Sequence, residues 1–126
     1  MTPARMLSPA LAGLLLAATL APAQAAAARA NFDGNWSVLI ITQSGPCDPG
    51  YRYGLSIRNG RVFYEGSASV NVSGSVTDRG AVRVRLSAGS QVASGEGRLS
   101  RDYGSGRWRG TGSSGECSGT WTAERR

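Results

Sequence analysis

The stretch Cys117-Ser-Gly-Thr-Trp-Thr-Ala-Glu124 decides the fold that we predict for this chain. Its alternation of polar and apolar residues is typical of a β-strand with one buried face, and it places Trp121 on that face. The first predicted strand opens at Gly34-Asn35-Trp36 and runs to about Gln43, and Cys47 follows its end. If these two strands pair antiparallel, the end of one meets the start of the other, where the cysteines lie. The sequence therefore predicts a barrel closed by its first and last strands.

Six further strands are predicted between these two, because apolar and polar residues alternate with period two between glycine-rich breaks. Asn59-Gly60 is the strongest hairpin signal, since both central residues of a type I′ turn need positive φ. We expect an all-β fold, a small antiparallel up-and-down barrel of about eight strands, whose interior is filled by side chains or holds one small ligand. The six strands are predicted at residues 51–58, 61–65, 70–76, 82–88, 91–100 and 105–111.

The first 25 residues have the features of a secretory signal peptide. Arg5 supplies the positive start, residues 11–20 form an apolar run, and Ala23-Gln24-Ala25 fits a cleavage site. An apolar run of this length is too short to span a bilayer, which needs about 20 residues. We expect residues 26–31 to be a disordered remnant and residues 32–126 to form one β-barrel domain that is periplasmic or secreted.

Cys47 and Cys117 are the only cysteines of the sequence. An exported chain meets an oxidising compartment, and neither cysteine has the Cys-x-x-Cys neighbour that is typical of a metal site. We therefore predict one disulfide between them. Such a bridge closes a loop of 70 residues, which stabilises the fold by about 4 kcal/mol through lost chain entropy in the unfolded state.

All 14 basic residues are arginine, and the eight acids leave a net charge of +6 for the whole sequence. A guanidinium matches phosphate and carboxylate oxygens in pairs, so outward arginines on neighbouring strands predict a site for an anionic polysaccharide or lipid surface. The alternatives are a solvated arginine-rich face and the codon usage of a GC-rich genome. Nucleic acid is disfavoured because the aromatic residues are predicted to point inward. The candidate residues are Arg83, Arg85, Arg107 and Arg109, with Arg98 on the same face.

The aromatic residues predicted to face the interior are Trp36, Tyr53, Trp108 and Trp121. Indole faces bind sugars and flat heterocycles, so these rings are candidates for a ligand pocket. The alternative is that they fill the core, because a large ring packed over a glycine replaces the volume that the glycine lacks. The inward glycines of the late strands are Gly95, Gly97, Gly106, Gly110 and Gly119.

Gly34-Asn35-Trp36 resembles the Gly-x-Trp signature of lipocalins and avidins, whose barrels also have eight strands in meander order. The lipocalin resemblance implies that an arginine late in the chain packs on the tryptophan, and Arg125 is the candidate. The avidin pattern of biotin-contacting residues is not recognisable. The wider sequence also resembles short exported Gram-negative proteins of unknown function, some of them labelled haem-utilisation or adhesion proteins. If haem were bound, a tyrosine would have to ligate its iron, the candidates being Tyr51, Tyr53, Tyr64 and Tyr103.

Catalytic residue types are scarce in this sequence. It has no histidine and no lysine, and a disulfide would occupy both thiols, so the usual general bases and nucleophiles are absent. The acids show no spacing of a zinc or calcium site. We therefore expect no enzyme and no cofactor, and we predict a binding module for an anionic envelope component or a small ligand. The alternative is an envelope interaction protein or inhibitor that acts through the loops at residues 48–51 and 113–116.

Overall fold

A computed structural model describes residues 3–4, 10, 12–15 and 32–126. The predicted remnant lies wholly outside these residues and the predicted signal peptide almost wholly, so both stay predictions. From residue 32 onward the chain consists of strands and turns, and the described part has no helix long and apolar enough to cross a membrane. The strands are β1 (Gly34–Ser44), β2 (Gly50–Arg58), β3 (Arg61–Tyr64), β4 (Asn71–Val76), β5 (Ala81–Ala88), β6 (Gln91–Leu99), β7 (Tyr103–Gly112) and β8 (Gly115–Arg125).

The eight strands form a closed antiparallel barrel in chain order, with β1 paired to both β2 and β8. Between β1 and β8, Ile40 lies opposite Trp121 and Trp36 lies opposite Arg125. The predicted closure by first and last strands is therefore confirmed. One irregularity shifts the register between Thr42 and Ser44, at the end of β1.

The predicted disulfide is also confirmed. Cys47 and Cys117 are bonded, with their Cα atoms 6.1 Å apart, a separation within the usual range for a disulfide. The bridge joins the β1–β2 loop to the start of β8. It therefore fastens the end of the barrel at which β1 finishes and β8 begins.

The hairpin between β2 and β3 has the turn that the sequence predicts. Asn59 has a φ of 51° and Gly60 a φ of 75°, the two positive values that a type I′ turn requires. The next connection is looser, because β3 has only four residues and meets β4 through one register pair, Arg61 with Ser75. The wall between β3 and β4 is thus the least paired part of the barrel.

The two ends of the barrel differ in packing. We call the end that contains residues 32–33 and the turns 59–60, 77–80 and 100–102 the closed end. The other end, which contains the loops 45–49, 65–70, 89–90 and 113–114, is the mouth. The buried apolar core extends from the closed end and consists of Phe32, Trp36, Val38, Ile57, Val62, Val76, Val82, Leu99, Trp121 and Ala123.

Trp36 and Arg125 seal the closed end. Trp36 is only 1% exposed, and its Nε1 donates a hydrogen bond to the Phe32 carbonyl at 2.9 Å. The Arg125 guanidinium carbon lies 4.7 Å from the centre of the indole, a cation–π distance. Arg125 also donates to the carbonyls of Asp33 and Arg101, each at 2.7 Å. Arg125 thus occupies the place over Trp36 that the lipocalin resemblance implied.

Candidate ligand-binding cavity

The barrel encloses a cavity of about 370 Å³ that opens at the mouth. Ligand pockets in proteins usually have volumes of about 300 to 1,000 Å³, so this one has the size for a small molecule. Every strand contributes a side chain to its wall, and most of these side chains are apolar. The wall includes Ile40, Leu55, Val62, Val76, Val84, Ala93, Trp108 and Trp121.

The Trp121 ring lies along the wall of the barrel instead of pointing toward its axis. Its Nε1 donates to the Glu96 carbonyl of β6 at 3.2 Å, so the indole of this β8 residue reaches across β7. A Cβ built on Gly97 or Gly106 would lie 2.6 Å from the ring, too close for any other residue. These two glycines therefore make room for the indole, which is the arrangement that the core-filling alternative implies.

Trp108, on the preceding strand, also reaches across one neighbouring strand, but in the opposite direction around the barrel. Its Nε1 donates to the Ile41 carbonyl of β1 at 3.0 Å, and the intervening β8 residue, opposite Trp108 in the register, is Gly119. Both indole N–H groups are thus satisfied by the barrel wall. Because the two rings thicken the wall, and the other inward residues of the late strands include Ala93 and Gly110, the axis of the mouth half stays open.

Tyrosines line one side of the mouth. The rings of Tyr51 and Tyr53 on β2 lie 5.9 Å apart and are inclined by 30°. Tyr64 on β3 meets Tyr53 edge to face at 6.2 Å. Partial burial of the Tyr53 phenol, and then the neighbouring Tyr64, raise the pKa of Tyr53. The cavity therefore has an aromatic wall on one side of its mouth.

The loop at residues 45–49 places a carboxylate beside this aromatic wall. The Tyr51 hydroxyl donates to the Asp48 carboxylate, and this hydrogen bond, followed by the charge of Asp48, raises the pKa of Tyr51. The Thr42 hydroxyl donates to the Asp48 carbonyl at 2.6 Å, and the disulfide holds the preceding residue. Asp48 is thus fixed at the mouth by several contacts.

The predicted arginine face is on the outside of β5, β6 and β7. Arg83 and Arg107 lie on either side of Glu96 in the register, and Arg85 and Arg109 lie on either side of a serine. All four side chains are exposed. The structure therefore brings the predicted residues to one surface, and it adds an acid, Glu96, between one pair.

The structure separates the four aromatic candidates by role. All four line the cavity, but Trp36 and Trp121 are buried residues of the core, whereas Trp108 and Tyr53 are only partly buried. The tyrosines proposed as haem ligands are not all together, because Tyr103 begins β7 at the closed end, far along the barrel from the mouth. The loops at residues 48–51 and 113–116 do meet at the mouth. Asp48 and Tyr51 from the first loop and Ser114 and Gly115 from the second surround the same opening.

Sequence reasoning missed the pairing of Tyr51 with Asp48. No sequence signal indicated this contact, because it depends on how an irregular loop with two prolines and a cysteine folds back onto β2. No group of three or more potential metal-ligating side chains occurs among the described residues.

No protein-family model matches this chain, and neither a curated protein nor a solved structure shows significant similarity to it.

Proposed function

We propose that this protein is an exported binding module that holds a small, largely apolar ligand inside its barrel. The observation that carries the proposal is the cavity of about 370 Å³ with its mostly apolar wall. Moving apolar ligand surface from water into such a cavity contributes about 25 cal/mol per Å². The disulfide is compatible with an oxidising compartment outside the cytoplasm, which agrees with the predicted signal peptide.

The form of the cavity supports a ligand that enters from the mouth. Trp36 and its neighbours seal the opposite end. The disulfide holds the loop beside the opening together with Thr42, whose hydroxyl donates to the Asp48 carbonyl and whose N–H donates to the Pro49 carbonyl. A site whose backbone is fixed in advance loses little free energy to ordering when the ligand binds. The two indole N–H groups are already bonded to the wall, so the deep part of the cavity suits an apolar group.

The test is the binding of a neutral fluorescent naphthalene probe to the purified protein and to two matched tryptophan variants. Val84→Trp places a large ring in the cavity, because Val84 lines it. Ser73→Trp places the same ring on the outer surface of the neighbouring strand, where Ser73 is exposed. We expect saturable binding by the wild type, a loss of affinity of about tenfold or more in Val84→Trp, and an unchanged affinity in Ser73→Trp, where tenfold corresponds to about 1.4 kcal/mol.

Circular dichroism first establishes that both variants keep the β-sheet signal. Equal affinity in Val84→Trp and the wild type would place the probe outside the barrel. The absence of saturable binding to the wild type would remove the proposal.

The register of the arginines favours a second candidate function, the binding of an anionic surface. Arg85 and Arg109 flank a shallow outer depression that also contains Ser44, Ser118 and one acid, Glu116. Hydroxyls beside guanidinium groups are donors suited to phosphate oxygens. Replacing Arg83, Arg85, Arg107 and Arg109 together by Gln should weaken binding to vesicles that contain an acidic phospholipid and flatten its salt dependence. An unchanged salt slope would exclude this function, and a protein partner bound through the mouth loops would be insensitive to the change.

A further inference from the structure

Tyrosine rings and a carboxylate lie side by side at the mouth of the barrel. We infer that the ligand has a cationic head group, such as an ammonium, which stays at the mouth against the tyrosine rings and the Asp48 carboxylate while its apolar body occupies the barrel. This inference rests on the proposed function, because it describes the polar head group of the same ligand whose apolar part occupies the cavity.

The aromatic part of this site is open to solvent. Tyr51 is 47% exposed, and its ring is inclined by only 30° to that of Tyr53 at a distance of 5.9 Å. Tyr64 meets Tyr53 edge to face, with the ring centres 6.2 Å apart. The faces of such rings carry negative electrostatic potential and attract ammonium groups, above all quaternary ones.

The carboxylate lies directly beside these rings. The Tyr51 hydroxyl occupies one acceptor position of Asp48, and an ionised carboxylate has about four such positions on its two oxygens. A tyrosine phenol is protonated at neutral pH, so Tyr51 donates this hydrogen bond under the conditions of binding. A cationic group at the mouth would therefore interact with the Asp48 charge and the Tyr51 ring together.

Among the described residues, no arginine lines the cavity or its opening. The Arg126 guanidinium reaches one mouth loop, but it is paired there with the Glu65 carboxylate. None of the four mouth loops, at residues 45–49, 65–70, 89–90 and 113–114, contains an arginine, although the sequence has 14. Arg52 follows Tyr51 in the chain, but it lies on the outer face, and its Nη1 donates to the Ser37 hydroxyl at 2.9 Å. Ser37 is opposite Gly54 in the register, further from the mouth. An anionic head group would therefore meet the Asp48 carboxylate with no guanidinium from these loops to compensate it.

Three naphthalene probes that differ in charge test the inference. The first carries a trimethylammonium group on a methylene, the second replaces that group by the neutral tert-butyl group of the same shape, and the third is naphthylacetate. Calorimetric titration of the wild type should give the tightest binding for the cation, by about tenfold over the neutral probe, and the weakest for the anion. The order is expected despite the net positive charge of the protein.

Variants identify the groups responsible. Asp48→Asn should remove most of the advantage of the cationic probe and leave the affinity for the neutral probe within about twofold, which also shows that the cavity is intact. Tyr51→Leu should reduce the same advantage by removing the ring, whereas Tyr51→Phe should keep most of it. Glu116→Gln is the matched control, because Glu116 is an exposed acid on the outer face of β8 beside the mouth, and it should change neither affinity.

The outcomes separate the two proposals. If the neutral probe binds as tightly as the cationic one, or the anion binds best, the assignment of a cationic head group is wrong and the apolar site remains. If no probe binds saturably, the proposed function fails and the head-group assignment fails with it. A cation advantage that persists in Asp48→Asn and Tyr51→Leu would also overturn the inference, because it would arise elsewhere on the protein.

Discussion

The closed end and the mouth of this barrel are built from the same eight strands, yet one is packed and the other is hollow. At the closed end the inward residues are large, and Trp121 covers the positions where Gly97 and Gly106 provide no side chain. At the mouth the late strands present Ala93 and Gly110 inward, with no ring over them that reaches the axis. The size of inward side chains, more than the number of strands, therefore decides where an eight-stranded barrel leaves a cavity.

The two ends are also held together by different means. The closed end relies on non-covalent contacts, in which Arg125 joins the segment before β1 to the turn before β7 above Trp36. The mouth has little buried apolar surface of its own, and a covalent bond between Cys47 and Cys117 ties its loops. The disulfide therefore stabilises the mouth, where few buried apolar contacts are available to do so.

The largest expected effect is the loss of the indole that fills the closed end. Trp36→Ala should lower the free energy of unfolding by about 3 to 5 kcal/mol, the usual cost of truncating a buried aromatic side chain. Tyr51→Ala removes an aromatic ring at the mouth that is 47% exposed, and it should cost less than about 1 kcal/mol. Urea unfolding of both variants measures the difference. Equal losses would contradict the contrast between a packed end and an open one.

Removal of the disulfide should also lower the free energy of unfolding. The loss of local stability should appear first at the mouth, where the disulfide lies. The double variant Cys47→Ser and Cys117→Ser should lose about 2 to 5 kcal/mol of unfolding free energy. Amide exchange should become faster in the loop at residues 45–49 well before the strands that pack on Trp36 are affected. Thiol titration of the unfolded wild type should find no free cysteine, and uniform loss of protection along the barrel would show that the ends are not independent.

Much of the fold follows from the sequence because its signals are local. Period-two alternation marks the strands, and Asn59-Gly60 determines one turn. One cysteine just after the first strand and another at the start of the last strand indicate how the barrel closes. The cavity depends on the orientation of the inward rings, which the alternation of polar and apolar residues does not reveal. The pattern places Trp121 inside, but only the register of three strands shows that its ring lies flat over Gly97 and Gly106.

The sequence identified residues that line the candidate site, but it did not reveal the contacts between them. Tyr53 and Trp108 were identifiable as inward residues, and they do line the cavity. The hydrogen bond between Tyr51 and Asp48 depends on how a loop with two prolines folds back, which the disulfide and the Thr42 hydroxyl determine together. Such a loop has no periodicity, so its side-chain contacts cannot be inferred from spacing alone.

The smallest expected effect is the dependence of stability on the ionisation of Tyr53 at the mouth. Partial burial and the adjacent Tyr64 raise the pKa of Tyr53, whereas in the unfolded chain its pKa has the ordinary value of about 10. The folded state therefore favours the neutral phenol. The resulting stability is fully present below about pH 10 and is lost as the pH rises through the folded pKa of Tyr53.

The measurement is the phenolate absorbance of the wild type minus that of Tyr53→Phe as a function of pH. The difference should have a midpoint above about 10, the value for a free tyrosine side chain. Asp48→Asn is the control, because the hydrogen bond from Tyr51 to Asp48 is the main cause of the raised pKa of Tyr51, whereas Tyr53 owes its shift to burial and Tyr64. In this variant the Tyr51 midpoint should fall and the Tyr53 midpoint should stay. A Tyr53 midpoint at the free value would mean that the mouth is fully hydrated around its rings, and the site for an apolar ligand would then begin only below them.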